Sequence, residues 1–338
     1  MTRGLLLILT VIIALCYSSC STDFDMYAEY KDVTIVYSIV DMDDDTTWVK
    51  ITKAYTGPGN ALLLAQNPDS SNYPYKLNGV ITGKKNGVLS EPLLLDTITI
   101  TNKATIDTII NSDGDTTVLN PFYAPNQLMY FTSTKLNKDY VYSLTIEKNN
   151  GETLSSSTGL VNNFSVSKPV NRIVFSETAD NSIEWTAPKN GVMFEVSLKF
   201  NYTEYAPGYS DTLNKSISWY VGTRNAKTSD GGESMDVSYS GPYFYSLLVS
   251  ELPDVPNVTR WAGKVDITIA SGSQVLATYL DINSGGASLL EEVPVYSNID
   301  GGTGIFASRY TTTKEIQLST TTERNLIENY NLGLKFKN

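Results

Sequence analysis

Apolar and polar residues alternate in short runs from Asp32 onward, and this pattern governs the fold prediction. A period of two is typical of half-buried β-strands, because successive side chains point to opposite faces of a sheet. Tight turns at 41–45, 111–115 and 149–151 are predicted to join neighbouring runs into hairpins. The runs predicted as strands are 33–39, 47–52, 97–100, 106–110, 140–146, 154–160, 172–175, 182–186, 193–202, 265–270 and 274–280. The sequence therefore predicts an all-β fold.

The length of the chain and the spacing of its turns favour two domains in tandem. We expect two immunoglobulin- or fibronectin-like β-sandwiches with a few short helices, at 32–167 and 168–338. Trp185, early in the second segment, resembles the core tryptophan of fibronectin-type sandwiches. The short helices are predicted at 60–66, at 242–252, and from a capping box of Thr320 and Glu323 to Gly333.

The N-terminus has the three parts of an export leader, predicted as residues 1–19. Arg3 supplies the positive charge, an apolar stretch follows at 5–15, and small residues precede Cys20. This arrangement predicts a lipoprotein, in which the Cys20 thiol carries the lipid and 20–31 form a tether. Cys16 is the alternative lipidation site, and an uncleaved anchor helix is the alternative to the leader.

Composition excludes several classes of function. The net charge is −11 without a basic run, so the chain lacks the electrostatic features of a nucleic-acid-binding protein. It contains no His, and Cys16 and Cys20 are its only cysteines, so catalytic triads and dyads that need His are excluded. Carboxylate, hydroxyl or lysine chemistry remains, and Glu184 and Glu195 are one candidate carboxylate pair of a hydrolase.

Two clusters are candidate ligand sites. Asp41, Asp43 and Asp45 in one turn offer the oxygen ligands that Ca²⁺ prefers, although they lack the spacing of an EF-hand. The alternative is a solvated hairpin turn. The aromatic run Tyr243, Phe244 and Tyr245 is a candidate stacking surface for a ligand such as a sugar ring, and the alternative is a partly buried helix face. No cofactor other than Ca²⁺ is indicated.

Three parts of the sequence resemble outer-membrane lipoproteins of the Bacteroidota, of the type called domain of unknown function 4249. They are the leader with Cys20, the block 32–60 (DVTIVYSIVDMDDDTTWVKITKAYTGPGN) and the block 296–310 (YSNIDGGTGIFASRY). Asp23 and Asp25, behind Cys20, resemble the signal that exports such lipoproteins to the cell surface. The resemblance implies a non-catalytic accessory of a TonB-dependent β-barrel receptor. A surface glycan-binding module and a carboxylate hydrolase are the alternative functions.

Overall fold

The computed structural model describes residues 33–54, 67–101, 108–110, 116–118, 126–252, 257–284 and 296–329. The predicted all-β class is confirmed, since strands dominate and the helices are few and short. The strands are β1 (Val33–Asp41), β2 (Thr47–Ala54), β3 (Asn78–Lys85), β4 (Val88–Leu89), β5 (Leu93–Leu94), β6 (Asp96–Ile100), β7 (Thr108–Ile110), β8 (Thr116–Val118), β9 (Gln127–Thr132), β10 (Val141–Glu147), β11 (Thr153–Gly159), β12 (Val166–Lys168), β13 (Arg172–Ile173), β14 (Asp180–Thr186), β15 (Met193–Tyr205), β16 (Leu213–Asn225), β17 (Ser234–Ser240), β18 (Thr259–Gly272) and β19 (Thr303–Leu318). The helices are α1 (Pro68–Ser71), α2 (Gly241–Glu251), α3 (Gln274–Ser284) and α4 (Thr320–Arg324), which runs into a π-helical turn at Asn325–Asn329.

One long sheet runs through both halves of the chain. Its strand order is β16-β15-β18-β19-β1-β2-β9-β6, and β13 pairs with β19 beside this path. The strands along this path pair antiparallel except β1 and β19, which run parallel with Val36 opposite Gly304. The last long strand of the described residues is thus hydrogen-bonded to the first.

Two smaller sheets cover one face of the long sheet. One consists of β11-β10-β3, with β4 and β5 pairing with β3, and the other of β12-β14-β17. A core lies under each: Phe306 of β19 belongs to the first core and Ile316 of the same strand to the second. Because these residues are ten apart on a regular strand, they point to the same face. The two sandwiches therefore lie side by side on a shared sheet.

The predicted division into 32–167 and 168–338 can be compared with the two cores. The first core draws on residues up to Leu160, and the second begins with Val166 on β12. Ile299 and Phe306, however, come from the C-terminal segment and belong to the first core. The predicted boundary therefore lies close to the point where the chain passes from the first core to the second. The segment that contains Ile299 and Phe306 then packs in the first core again.

Several local predictions have clear outcomes. The hairpins around 41–45 and 149–151 form, and β7 pairs with β8 across 111–115, which lie outside the described residues. The helix predicted at 242–252 is α2, capped by the Ser240 hydroxyl, which accepts a hydrogen bond from the Tyr243 amide. Trp185 is a core residue, 1% exposed. The helix predicted at 60–66 and Gly333 lie outside the described residues.

Two local predictions were wrong. The run 274–280 is the helix α3 and not a strand, because Val275, Leu276 and Tyr279 form one helical face that packs on Ile305 and Ala307 of β19. The cap of α4 is one residue earlier than predicted: the Ser319 hydroxyl, not that of Thr320, accepts from the Thr322 amide at 3.1 Å.

Candidate functional site

The outer face of the long sheet, opposite the two cores, carries exposed apolar side chains in its N-terminal half. Val36 and Ile51 point into the core, so their strand neighbours point outward. The outward residues define the apolar stripe, which crosses four adjacent strands. Its members are Tyr37, Ile39, Trp48, Met129, Phe131 and Ile98.

The register of the strands brings these side chains together. Trp48 of β2 is paired with Phe131 of β9, and their ring centroids are 5.3 Å apart. Met129 of β9 is paired with Ile98 of β6. The exposed fractions are 40% for Tyr37, 41% for Trp48 and 48% for Ile98. Single exposed apolar residues are ordinary, but a solvated face of an antiparallel sheet is usually polar. The stripe is therefore the feature of this surface that needs a functional explanation.

Helix α3 bounds the stripe on one side. It covers Ile305 and Ala307 of β19, the outward neighbours of Tyr37 and Ile39 in the parallel register. The Tyr279 ring of α3 meets the Tyr37 ring edge-on at 6.2 Å, and its hydroxyl donates to the Tyr37 hydroxyl at 3.4 Å. This hydrogen bond, with partial burial, raises the pKa of Tyr37 to about 12. Tyr37 is therefore neutral at physiological pH and adds no charge to the stripe.

Charged groups of both signs surround the apolar stripe. Lys50 of β2 is the cross-strand partner of Tyr37. At the far edge, Asp96 lies 3.5 Å from Lys76, and the Thr97 amide and the Lys76 ammonium hold the pKa of Asp96 below its usual range. An apolar centre with a charged rim is the common arrangement of a protein-binding surface.

The acidic side chains of the turn at 41–45 do not come together as one group that could hold a metal ion. Asp41 is buried and accepts the Asp43 amide at 3.0 Å, while Asp43 lies 3.9 Å from Lys135. Burial raises the pKa of Asp41, whose other oxygen lies 3.9 Å from Arg309. The described residues contain no cluster of three acidic side chains that could hold a metal ion. Asp41, Asp43 and the exposed Asp45 therefore form a hairpin turn without converging.

The aromatic run on α2 does not form one exposed surface. Phe244 is fully buried and stacks on Phe175 with ring centroids 3.9 Å apart. Tyr245 is fully buried too, and its hydroxyl donates to the Phe175 carbonyl at 2.9 Å. Only Tyr243 is exposed, because it lies on the opposite side of the helix. Two of the three predicted ligand residues therefore belong to the core.

The candidate hydrolase pair is separated between two sheets. Glu184 lies on β14 of a small sheet and forms an ion pair with Lys168 at 2.9 Å. Glu195 lies on the outer face of β15, where it lines a groove with Asp281 of α3. No sequence pattern indicated this groove, because one of its walls is the helix that was predicted as a strand.

The predicted leader, the lipidation site Cys20 and the tether 20–31 lie outside the described residues. Among the helices of the described ranges, none has both the length and the apolar character needed to cross a bilayer.

No family model matches the sequence, and none of the curated proteins matches it. Solved structures with partial similarity include one crystal form of a cytokine receptor complex, at 8% identity and a TM-score of 0.21, covering 85% of this chain and 99% of that chain. A second crystal form matches at 8% identity and a TM-score of 0.19, covering 71% and 92%. The C-terminal globular domain of an oligosaccharyltransferase from Pyrococcus abyssi matches at 10% identity and 0.22, covering 85% and 49%. TM-scores this low support no conclusion about function.

Proposed function

We propose that this chain is a non-catalytic, lipid-anchored envelope protein that binds a protein partner through the apolar stripe. The proposed partner is an outer-membrane β-barrel receptor of the TonB-dependent type, and the proposed location is the outer membrane with Cys20 as the lipidated residue. The single observation that supports partner binding is an apolar surface across four strands, in which exposed Tyr, Trp and Ile side chains are linked by the half-buried Met129 and Phe131. Tyr, Trp and Phe are enriched at protein interfaces, where their large rings bury much apolar area.

The length of the tether agrees with a partner in the membrane. The stripe begins on β1, whose first residue is Val33. A fully extended chain from Cys20 to Val33 spans at most about 45 Å. A lipid on Cys20 would therefore keep the stripe near the bilayer, within reach of the exposed part of a barrel.

Lipidation is tested by metabolic labelling with an alkyne-bearing palmitate in a bacterial host that processes lipoproteins. Cys20→Ser is expected to abolish the label, because it removes the thiol to which the lipid is transferred. Cys16→Ser is the matched control and keeps the label. Labelling that survives Cys20→Ser and is lost in Cys16→Ser would assign the anchor to Cys16.

Partner binding is tested by purifying the tagged, lipidated protein from gently solubilised outer membranes, followed by mass spectrometry. We expect one β-barrel receptor in stoichiometric amount. The double variant Trp48→Thr/Ile98→Thr should lose that barrel, since Thr fits a strand but removes the apolar contact. The matched control is Val88→Thr/Leu89→Thr, which changes two exposed apolar residues on β4 of another sheet. A barrel kept by both variants, or no barrel with the unaltered protein, contradicts the proposal.

A surface glycan-binding module is the second candidate, favoured by the exposed rings of Tyr37 and Trp48 on one face of the sheet. Aromatic faces stack on the apolar faces of sugar rings, and both rings point outward from neighbouring strands. A glycan array decides between the two candidates: binding that is lost in Trp48→Thr supports the module, and a blank array removes it.

A further inference from the structure

A groove lies on the outer face of the long sheet, on the side of α3 away from the apolar stripe. Its volume is about 640 Å³, within the usual range of small-molecule sites. One wall is α3 and the other is formed by the start of β15 and the end of β16. The groove shares no residue with the stripe, so a ligand bound in it is independent of the proposed function.

The groove has acidic groups on both walls. Glu195 is exposed on β15, and Asp281 is exposed on α3. None of the described residues that line the groove is Lys or Arg. Along β15 the next base on the same face is Lys199, which is held by Asp266 at 2.8 Å. The electrostatic potential of the groove therefore favours a cation.

The remaining lining is aliphatic or carries small polar groups. Val192, Met193 and Leu280 contribute alkyl surface to the same groove as the two carboxylates. On α3, the Gln274 side-chain amide donates a hydrogen bond to the Thr278 hydroxyl at 3.1 Å, so these two polar side chains of the groove are paired with each other. No aromatic side chain is among the described lining residues, so the stacking surface that a sugar ring prefers is missing here. Aliphatic walls with carboxylates on both sides suit a methylene chain with cationic ends.

We propose that this groove binds a linear aliphatic diamine or polyamine. One ammonium group pairs with Glu195 and another with Asp281, while the methylene chain lies against Met193 and Leu280. The ion pairs supply the selectivity for charge, and the methylenes bury apolar surface of the groove.

Isothermal titration at low salt with spermidine, cadaverine and 1,5-pentanediol tests this assignment. Pentanediol has the carbon chain of cadaverine with hydroxyls in place of the ammonium groups, so it isolates the charge. We expect spermidine and cadaverine to bind and the diol not to bind. Glu195→Gln should weaken spermidine binding about fivefold, the size expected for one partly exposed ion pair. Added salt should weaken it further.

The matched control is Glu147→Gln, which removes one carboxylate from an exposed position of β10 on a smaller sheet. It should leave the affinity for spermidine unchanged. Ala277→Trp, which fills the groove from α3, should abolish binding while circular dichroism shows a folded protein. The assignment is overturned if spermidine does not bind at millimolar concentration, if the diol binds as well as cadaverine, or if Glu147→Gln weakens binding as much as Glu195→Gln.

Discussion

Replacing Gly304 with Ala tests the pairing of β1 with β19, which joins the two halves of the chain in one sheet. Gly304 lies opposite Val36 in the parallel pairing of β1 with β19, and its φ is +110°. A Cβ atom built at this position would lie 2.0 Å from the Val36 carbonyl oxygen, whereas real Cβ atoms essentially never approach within 3.0 Å. The atom in the way belongs to backbone, so it cannot be avoided by a side-chain rotation.

Two costs combine in Gly304→Ala. An L-residue held at positive φ costs about 1–2 kcal/mol, and +110° lies beyond the small left-handed region that other residues tolerate. The clash adds to this, because β1 and β19 must separate by about 1 Å and disturb the packing of Val36 and Phe306 in the core. We expect a total loss of about 3–4 kcal/mol in the free energy of unfolding, a large value for one methyl group.

Urea denaturation followed by tryptophan fluorescence measures this loss, with Gly151→Ala as the control. Gly151 has a φ of +84° in the turn between β10 and β11, and a Cβ there would meet nothing within 4 Å. The control therefore carries the backbone cost alone, about 1 kcal/mol. If both variants lose the same amount, the close approach of Gly304 to Val36 is not a feature of the folded protein and the reasoning fails.

Two further predictions concern α2 and a buried ion network. Phe244→Ala should lower the free energy of unfolding by about 3–5 kcal/mol, because it leaves a cavity in the core. Tyr243→Ala, on the exposed side of α2, should change the free energy of unfolding by at most about 0.5 kcal/mol. Equal effects of the two variants in urea denaturation would contradict the assignment of Phe244 to the core. Glu204→Gln should cost about 3–5 kcal/mol, because it removes the negative charge that lies 2.6 Å from the buried Arg260 guanidinium. Burial raises the pKa of Glu204, but hydrogen bonds from Lys215 and Arg260 outweigh it and hold the pKa below 4.5. The stabilisation is therefore complete at neutral pH and lost as the pH falls below about 4.5 through the folded-state pKa; urea midpoints between pH 7 and 3 should fall more steeply for the unaltered protein than for Glu204→Gln.

The residues of the two predicted ligand clusters do not share one surface, for a common physical reason. The acids at 41–45 and the aromatic residues at 243–245 are neighbours in sequence, but strand and helix geometry turns neighbouring side chains in different directions. Asp41 is accordingly buried while Asp43 and Asp45 stay in solvent, and Phe244 enters the core while Tyr243 does not. The residues that do share a surface, such as Trp48 and Phe131, come from distant strands. Sequence spacing carries no information on such pairs.

The sequence by itself determined the all-β class, the hairpins at 41–45 and 149–151 and the helix that begins after Ser240, because alternation, turn residues and caps act between residues close together in the chain. Only the tertiary structure decided that 274–280 is helical. The pattern of this short run fits a strand as well as a helix, and the helix forms because its Val275 and Tyr279 face packs on β19. It also decided the parallel pairing of β1 with β19, which no local pattern encodes. That pairing gives the two halves of the chain one outer sheet face, on which the apolar stripe and the acidic groove both lie. The packing of both cores sets the strand register, and the register brings residues that are distant in sequence side by side.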